Sequence, residues 1–159
     1  MSTSRPWNAV LPLVVLLATA APLSGAPEPS EEVRHFVEGF LNAMNQLDMS
    51  ALADMWAPGS ATTLVRGGTI TYGYDAIQAQ AKRSLQGLAF RDSFEVSAED
   101  VKVTMIGAQN AYVVTPMTLF VPSATGPPER RGGTITLVVE KRGPKWLILH
   151  DHTAVNCKQ

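Results

Sequence analysis

Three titratable side chains stand side by side near the end of the chain, in the run Trp146-Leu147-Ile148-Leu149-His150-Asp151-His152-Thr153-Ala154. Imidazoles and carboxylates are the groups that bind transition metals and move protons near neutral pH. The run leading to them is apolar, so it reads as a strand, on which successive side chains point to opposite faces. His150 and His152 then share a face with Trp146 and Ile148, while Asp151 lies on the other with Leu147, Leu149 and Thr153. By this alternation the triplet is not a cluster.

A metal reading needs more ligands than the triplet supplies, because zinc sites want three or four. The remaining histidine, His35, falls roughly 190° around its helix from the apolar stripe, and Cys157 lies past the strand. No paired Asp/Glu motif fills the gap, so neither a metal nor another cofactor is expected. Two readings stay open for His150 and His152. They line a pocket, as ligand contacts or as general acid–base groups, or they hydrogen-bond within the sheet or to a dimer partner. Trp56, Tyr72, Tyr74, Tyr112 and Met117 are aromatic or soft apolar groups that would serve either a pocket or a core. Arg66, at a turn, would clamp an anion or simply be solvated.

The elements that must position these groups are legible in outline. Val33, Phe36, Val37, Phe40, Leu41, Met44 and Leu47 fall on one helical face, with Ser30 placed to cap the helix and Glu31 and Glu32 at its positive end. Ser50 is placed to cap a short second helix carrying Leu52, Met55 and Trp56, stopped by Pro58-Gly59. A third helix is predicted from about Asp75 to Gln86, with Ile77, Ala81 and Leu85 on one face and Gly87 as its stop. Ala61 to Val65 and Thr69 to Tyr72 flank Arg66-Gly67-Gly68 as a hairpin. Strands follow over Phe94–Ser97, Val101–Ile106, Ala111–Val121, Thr134–Lys141 and Trp146–Val155, and Pro122 to Arg131 reads as a long loop. The hexapeptide Arg-Gly-Gly-Thr-Ile-Thr occurs at Arg66 and again at Arg131. A phosphate loop would need a helix after it, so both copies are read as glycine turns that launch strands. Helices first and an antiparallel sheet after them indicate an α+β fold.

The whole chain sets the frame. Its 159 residues, 45% hydrophobic and 17% charged, suit one globular domain. A net charge of −1 gives no sign of a nucleic-acid or anionic-membrane partner. Arg5 is the only charge before Glu28, and it precedes an apolar run that is interrupted by Pro12 and ends in small residues. That order reads as a secretory signal peptide, cleaved after Ala20 or secondarily after Ala26, leaving no stable membrane anchor. The division expected is therefore 1–26 as signal peptide and start of linker and 27–159 as a single domain, secreted or periplasmic. Removal of that segment leaves a net charge of −2. Cys157 is the sole cysteine, which excludes an internal disulfide.

Four stretches carry a resemblance: FLNAMNQLDMSALADMWAP, YGYDAIQAQ, NAYVVTPMTL and KWLILHDHTA. In this order and spacing the chain from about Glu31 to Ala154 resembles the nuclear transport factor 2-like superfamily. Within it, the nearest in pattern are the SnoaL-like and calcium/calmodulin-dependent kinase II association-domain-like members. The resemblance implies a cone, in which a curved antiparallel sheet wraps three N-terminal helices and leaves a pocket open at one end. It also implies a homodimer through the outer sheet face, in line with apolar residues on both parities, such as Val138 beside Val139. Activities within the superfamily range from isomerases and cyclases to hydrolases and pure assembly modules, so the fold does not choose among them. Ketosteroid-isomerase-like members carry a catalytic Asp about eight residues beyond an aromatic such as Trp56, where this chain has Leu64. The expectation is thus an exported, dimeric domain binding a small apolar or aromatic ligand. By the resemblance His150 and His152 face the pocket and Asp151 faces out, and by residue type Trp56, Tyr72, Tyr112 and Arg66 are the further ligand-binding candidates. Should the faces be exchanged, Asp151 becomes the candidate base.

Overall fold

The computed structural model describes residues 27–88, 95–121, 126–127 and 129–156. The signal-peptide segment, Phe94 and Cys157 lie outside the described residues. Helix α1 (Pro29–Asn45) starts on a proline, whose fixed φ suits the first helical position and whose missing N–H needs no partner there. Glu28 is therefore the N-terminal boundary residue, and Ser30, expected as the cap, lies inside the first turn. The helix buries Val33, Val37, Phe40, Ala43 and Met44 against the sheet. It closes with Leu47 in the left-handed region (φ 54°), where Leu47 N–H donates to the Met44 carbonyl and Asp48 N–H to the Ala43 carbonyl.

Helix α2 (Met49–Asp54) follows at once, with the Asp48 side chain accepting from Ala51 N–H at 3.0 Å. The cap is Asp48 rather than Ser50, and Met55 and Trp56 fall just beyond the helix. Strands β1 (Thr63–Arg66) and β2 (Thr69–Tyr72) form the expected hairpin. Gly67 and Gly68 both take positive φ (57° and 77°), the requirement of the tight turn that matches strand twist. Helix α3 (Tyr74–Leu88) then lies beside them, and of residues 74–83 only Ile77 is fully buried.

The remaining strands are β3 (Glu95–Ala98), β4 (Lys102–Met105), β5 (Asn110–Val121), β6 (Glu129–Arg142) and β7 (Lys145–Val155). They join β1 and β2 in one seven-stranded sheet, ordered β2-β1-β7-β6-β5-β3, with β4 paired to the other half of β5. The sheet is mixed rather than wholly antiparallel, since β1 runs parallel to β7. β6 begins five residues earlier than the sequence suggests, so Glu129 to Arg131 belong to a strand and not to a loop. The second Arg-Gly-Gly therefore sits mid-strand, contrary to the turn expected. Gly133 is needed there for closeness instead: an added Cβ would collide with the Ala154 carbonyl oxygen of β7.

β7 carries the irregularity that matters most. Val138 of β6 pairs with His150 and Val139 with Ile148, so Leu149 is an extra residue in the ladder. The other edge of β7 changes partner at the same place. Ile148 exchanges backbone hydrogen bonds with Met55 and Ala57 (2.8 and 3.0 Å), whereas His150 to Thr153 pair with β1. The bulge shifts the alternation by one. Trp146 and Ile148 are buried before it, and Asp151 and Thr153 are buried after it.

Candidate functional site

The bulge reverses the expected orientation of the triplet. Asp151 is fully buried, His150 is half-buried, and His152 is exposed. The imidazoles therefore part company with Trp146 and Ile148, and the carboxylate joins them on the inner face. His150 is held on its own side by Thr63, whose hydroxyl lies 2.5 Å from Nδ1 across the parallel β1–β7 pair.

On the inner side, a partly open cavity of about 40 Å³ lies between the helices and the β1–β7 end of the sheet. Phe40 and Met44 of α1, Leu52 of α2 and Trp56 supply its apolar wall. Leu64 and Arg66 of β1, Ile77, Gln78 and Ala81 of α3, and Asp151 of β7 complete it. Such a site, apolar with a few converging polar groups, has the makeup of a small-molecule pocket. It has room for about three waters as it stands.

Its polar floor is an ion pair of which the carboxylate is buried and the arginine is in part exposed. Arg66 Nη2 lies 3.2 Å from Asp151 Oδ2, with the arginine side chain 36% exposed and the aspartate 1%. The Thr153 hydroxyl donates to the other carboxylate oxygen, Oδ1, at 2.7 Å. Burial pushes the Asp151 carboxyl above the usual aspartate range. The Arg66 charge, the Thr153 hydrogen bond and the His150 imidazole all pull the other way and do not cancel it. A carboxyl of this kind is able to hold a proton at a pH where a solvated aspartate has lost it.

Of the residues singled out in the sequence, the structure brings together Trp56, Arg66 and Asp151. Tyr72 stands on the edge strand β2, 65% exposed, and Tyr112 on β5 is 40% exposed; neither lines this cavity. Gln78 joins Trp56, Arg66 and Asp151 from α3, with no mark in the sequence. It neighbours Ile77 on the inward face of α3, and a lone glutamine on a helix has no spacing signal to mark it. Among the described residues no three His, Cys, Asp or Glu side chains are grouped to hold a metal ion.

A second, wider space lies outside the cone. It is an open groove of about 540 Å³ between α1, α2 and the β6–β7 turn, bordered by Glu32, His35, Asp54, Lys145 and Trp146. Glu32 accepts hydrogen bonds there from Lys141 Nζ and, at 3.0 Å, from Trp146 Nε1. Both bonds hold the Glu32 carboxyl below the usual glutamate range.

The fold and this inner cavity define a cone-shaped α+β domain of the nuclear transport factor 2-like superfamily. The chain belongs to the SnoaL-like domain family, which matches residues 33–156. Among solved structures it is similar to an NTF-2-like protein of unknown function from Shewanella oneidensis, at 22% identity and a TM-score of 0.63, covering 79% of this chain and 98% of that one. It is also similar to a protein provisionally called a dehydratase of the NTF2-like family from Streptomyces avermitilis, at 18% identity and TM-score 0.66, covering 80% and 97%. A third, from Xanthomonas campestris, is provisionally called a calcium/calmodulin-dependent protein kinase II association domain. It shows 21% identity and TM-score 0.62, covering 84% and 90%. No curated protein matches the chain.

Proposed function

We propose that this domain binds a small organic molecule in the inner cavity, with the Arg66–Asp151 pair as the polar floor that orients it. The observation that carries this reading is the fully buried Asp151 at a largely apolar cavity. An ionisable group so placed is costly to the fold and is most economically explained by what it contacts. The test is to fill the space. Small neutral organic compounds should perturb amide resonances around the cavity, and Ala81→Phe should abolish the effect while the protein stays folded. Perturbations that persist in Ala81→Phe, or that map to the outer groove at Trp146, would overturn the assignment.

Acid–base catalysis at the same place is the second reading, favoured by a carboxyl that lines the cavity and that burial drives toward its protonated form. The dehydratase names of some structural neighbours are in keeping with it. In that case Asp151, not an imidazole, is the proton-transfer group. Two further parts of the proposal rest on other features. Export is supported by the basic, apolar and small-residue order of residues 1–26, and N-terminal sequencing of the exported protein tests it. A homodimer is supported by the half-exposed outer sheet face around Tyr112 and Val138, and ultracentrifugation at micromolar concentration tests that.

A further inference from the structure

At about 40 Å³ the inner cavity is smaller than the molecule it would have to hold. A benzene-sized ring takes a cavity of about 150 Å³, so binding there needs a wall that moves. The walls differ in how they are fixed. Phe40, Met44 and Leu52 come from α1 and α2 and, with Trp56 and Leu64, belong to the buried core. Displacing α1 would expose Val33, Val37 and Phe40 together. The α3 wall, made of Ile77, Gln78 and Ala81, is held more lightly. Of residues 74–83 only Ile77 is buried, and Gln78 and Ala81 already reach solvent in part. Beyond the first turn of α3, the Thr71 hydroxyl of β2 ties the helix to the sheet by donating to Gln80 Oε1. The start of the helix is fixed instead. Gly73 N–H donates to the Thr62 carbonyl at 2.8 Å, and Tyr74 N–H to the Gly59 carbonyl at 2.9 Å. Gly73 has φ 84°, where glycine turns without strain.

We infer that α3 is the gate of the inner cavity. It pivots at Gly73, and release of the Thr71–Gln80 bond carries Gln78 and Ala81 away from the β1 wall at Leu64, uncovering Ile77. Such an opening exposes far less apolar surface than any that displaces α1, so it lies at the low end of the molecule's range of opening free energies. This inference rests on the inner cavity being the binding site and adds how that site is entered.

Thiol labelling reads the movement without a ligand. Cys157→Ser first removes the sole native cysteine. In that background Leu64→Cys places a thiol on the cavity wall, and Val113→Cys places one in β5, away from the cavity; both positions are buried. Urea midpoints verify that both variants fold. Without urea, the Leu64→Cys thiol should react about a hundredfold faster than the Val113→Cys thiol, and its rate should rise little with added urea. Thr71→Val, which removes the latching hydroxyl, should raise the Leu64→Cys rate about tenfold further. Opening constants from hydrogen exchange at the Gln80 and Ala81 amides should stay below the one that labelling gives, because the helix swings without melting. Equal labelling of the two reporters, or a steep urea dependence shared by both, would overturn the gate. A Leu64→Cys rate unmoved by Thr71→Val would overturn the latch, and equal opening constants would overturn the pivot in favour of a melting helix. Compound binding and its loss in Ala81→Phe are read separately, so failure of the gate and failure of the binding site are told apart.

Discussion

Glu32 and Asp151 are both carboxylates with one basic partner and one further hydrogen-bond donor, yet their proton affinities move in opposite directions. Glu32 meets Lys141 and Trp146 at an open groove, and its pKa falls. Asp151 meets Arg66 and Thr153 in the core, and its pKa rises. The partners are alike; the solvent is not. Where water still screens the group, two donors prevail, and where it is excluded, the loss of hydration outweighs the same donors. The wider space accordingly borders a part-buried carboxylate that water still reaches, and the tighter one holds a carboxylate with almost none of its surface in water.

Substitutions sharpen that contrast, beginning with the largest effect. Trp146 donates to Glu32 and also fills the core, being 7% exposed. Trp146→Ala should therefore cost about 3–5 kcal/mol, nearly all of it from packing, as read by urea denaturation. A loss no larger than that of Glu32→Gln would show that the indole matters only as a donor. Next in size is Arg66→Ala, which strands a buried carboxylate. The half-exposed guanidinium places the loss below that of a fully buried pair, at about 2–3 kcal/mol near neutral pH. It should shrink in acid as Asp151 takes up a proton.

The pH profiles of two isosteric variants should then diverge. Asp151 has its folded pKa raised, so its contribution is fully present below the ordinary aspartate value of about 3.9 and is lost as pH climbs through the folded value. Glu32 has its pKa lowered, so its contribution is present above about 4.3 and is lost as pH falls through the folded value. Against wild type, Asp151→Asn should gain relative stability with rising pH, and Glu32→Gln should lose it; thermal midpoints between pH 3 and 8 (about that range) report both slopes. Profiles of the same sign would break the comparison. The smallest effect belongs to His152→Ala. With its ring in solvent, stability should stay within about 0.5 kcal/mol of wild type and probe binding should not change.

What was readable in the sequence was whatever local pattern decides. The apolar face of α1, the Gly67-Gly68 hairpin and the Ile77 face of α3 are set by periodicity and turn chemistry, and all three are where the sequence places them. The family resemblance was legible for the same reason, since it depends on the order of such elements. The face of β7 was not legible. Leu149 is extruded where the neighbouring chain changes from Met55–Ala57 to β1, a tertiary event with no mark in the run Trp146 to Ala154. The twin Arg-Gly-Gly-Thr-Ile-Thr segments make the same point. One is a hairpin turn whose arginine reaches Asp151; the other is mid-strand, with Arg131 paired to Glu129. Identical residues take different structures: Gly67 and Gly68 turn with positive φ, whereas Gly133 runs extended against the Ala154 backbone. Of the site, Arg66, Trp56 and the alternative Asp151 were visible as residue types, while Gln78 acquires meaning only from the cavity beside it.

The most direct test of the buried-carboxylate account is a carboxyl carbon titration of Asp151 and Glu32 in the same sample, with each resonance assigned through its Asn or Gln variant. Asp151 should titrate above the ordinary aspartate range and Glu32 below the ordinary glutamate range, and Arg66→Ala should push Asp151 higher still. An Asp151 that titrates at or below the ordinary value, unmoved by Arg66→Ala, would contradict the account.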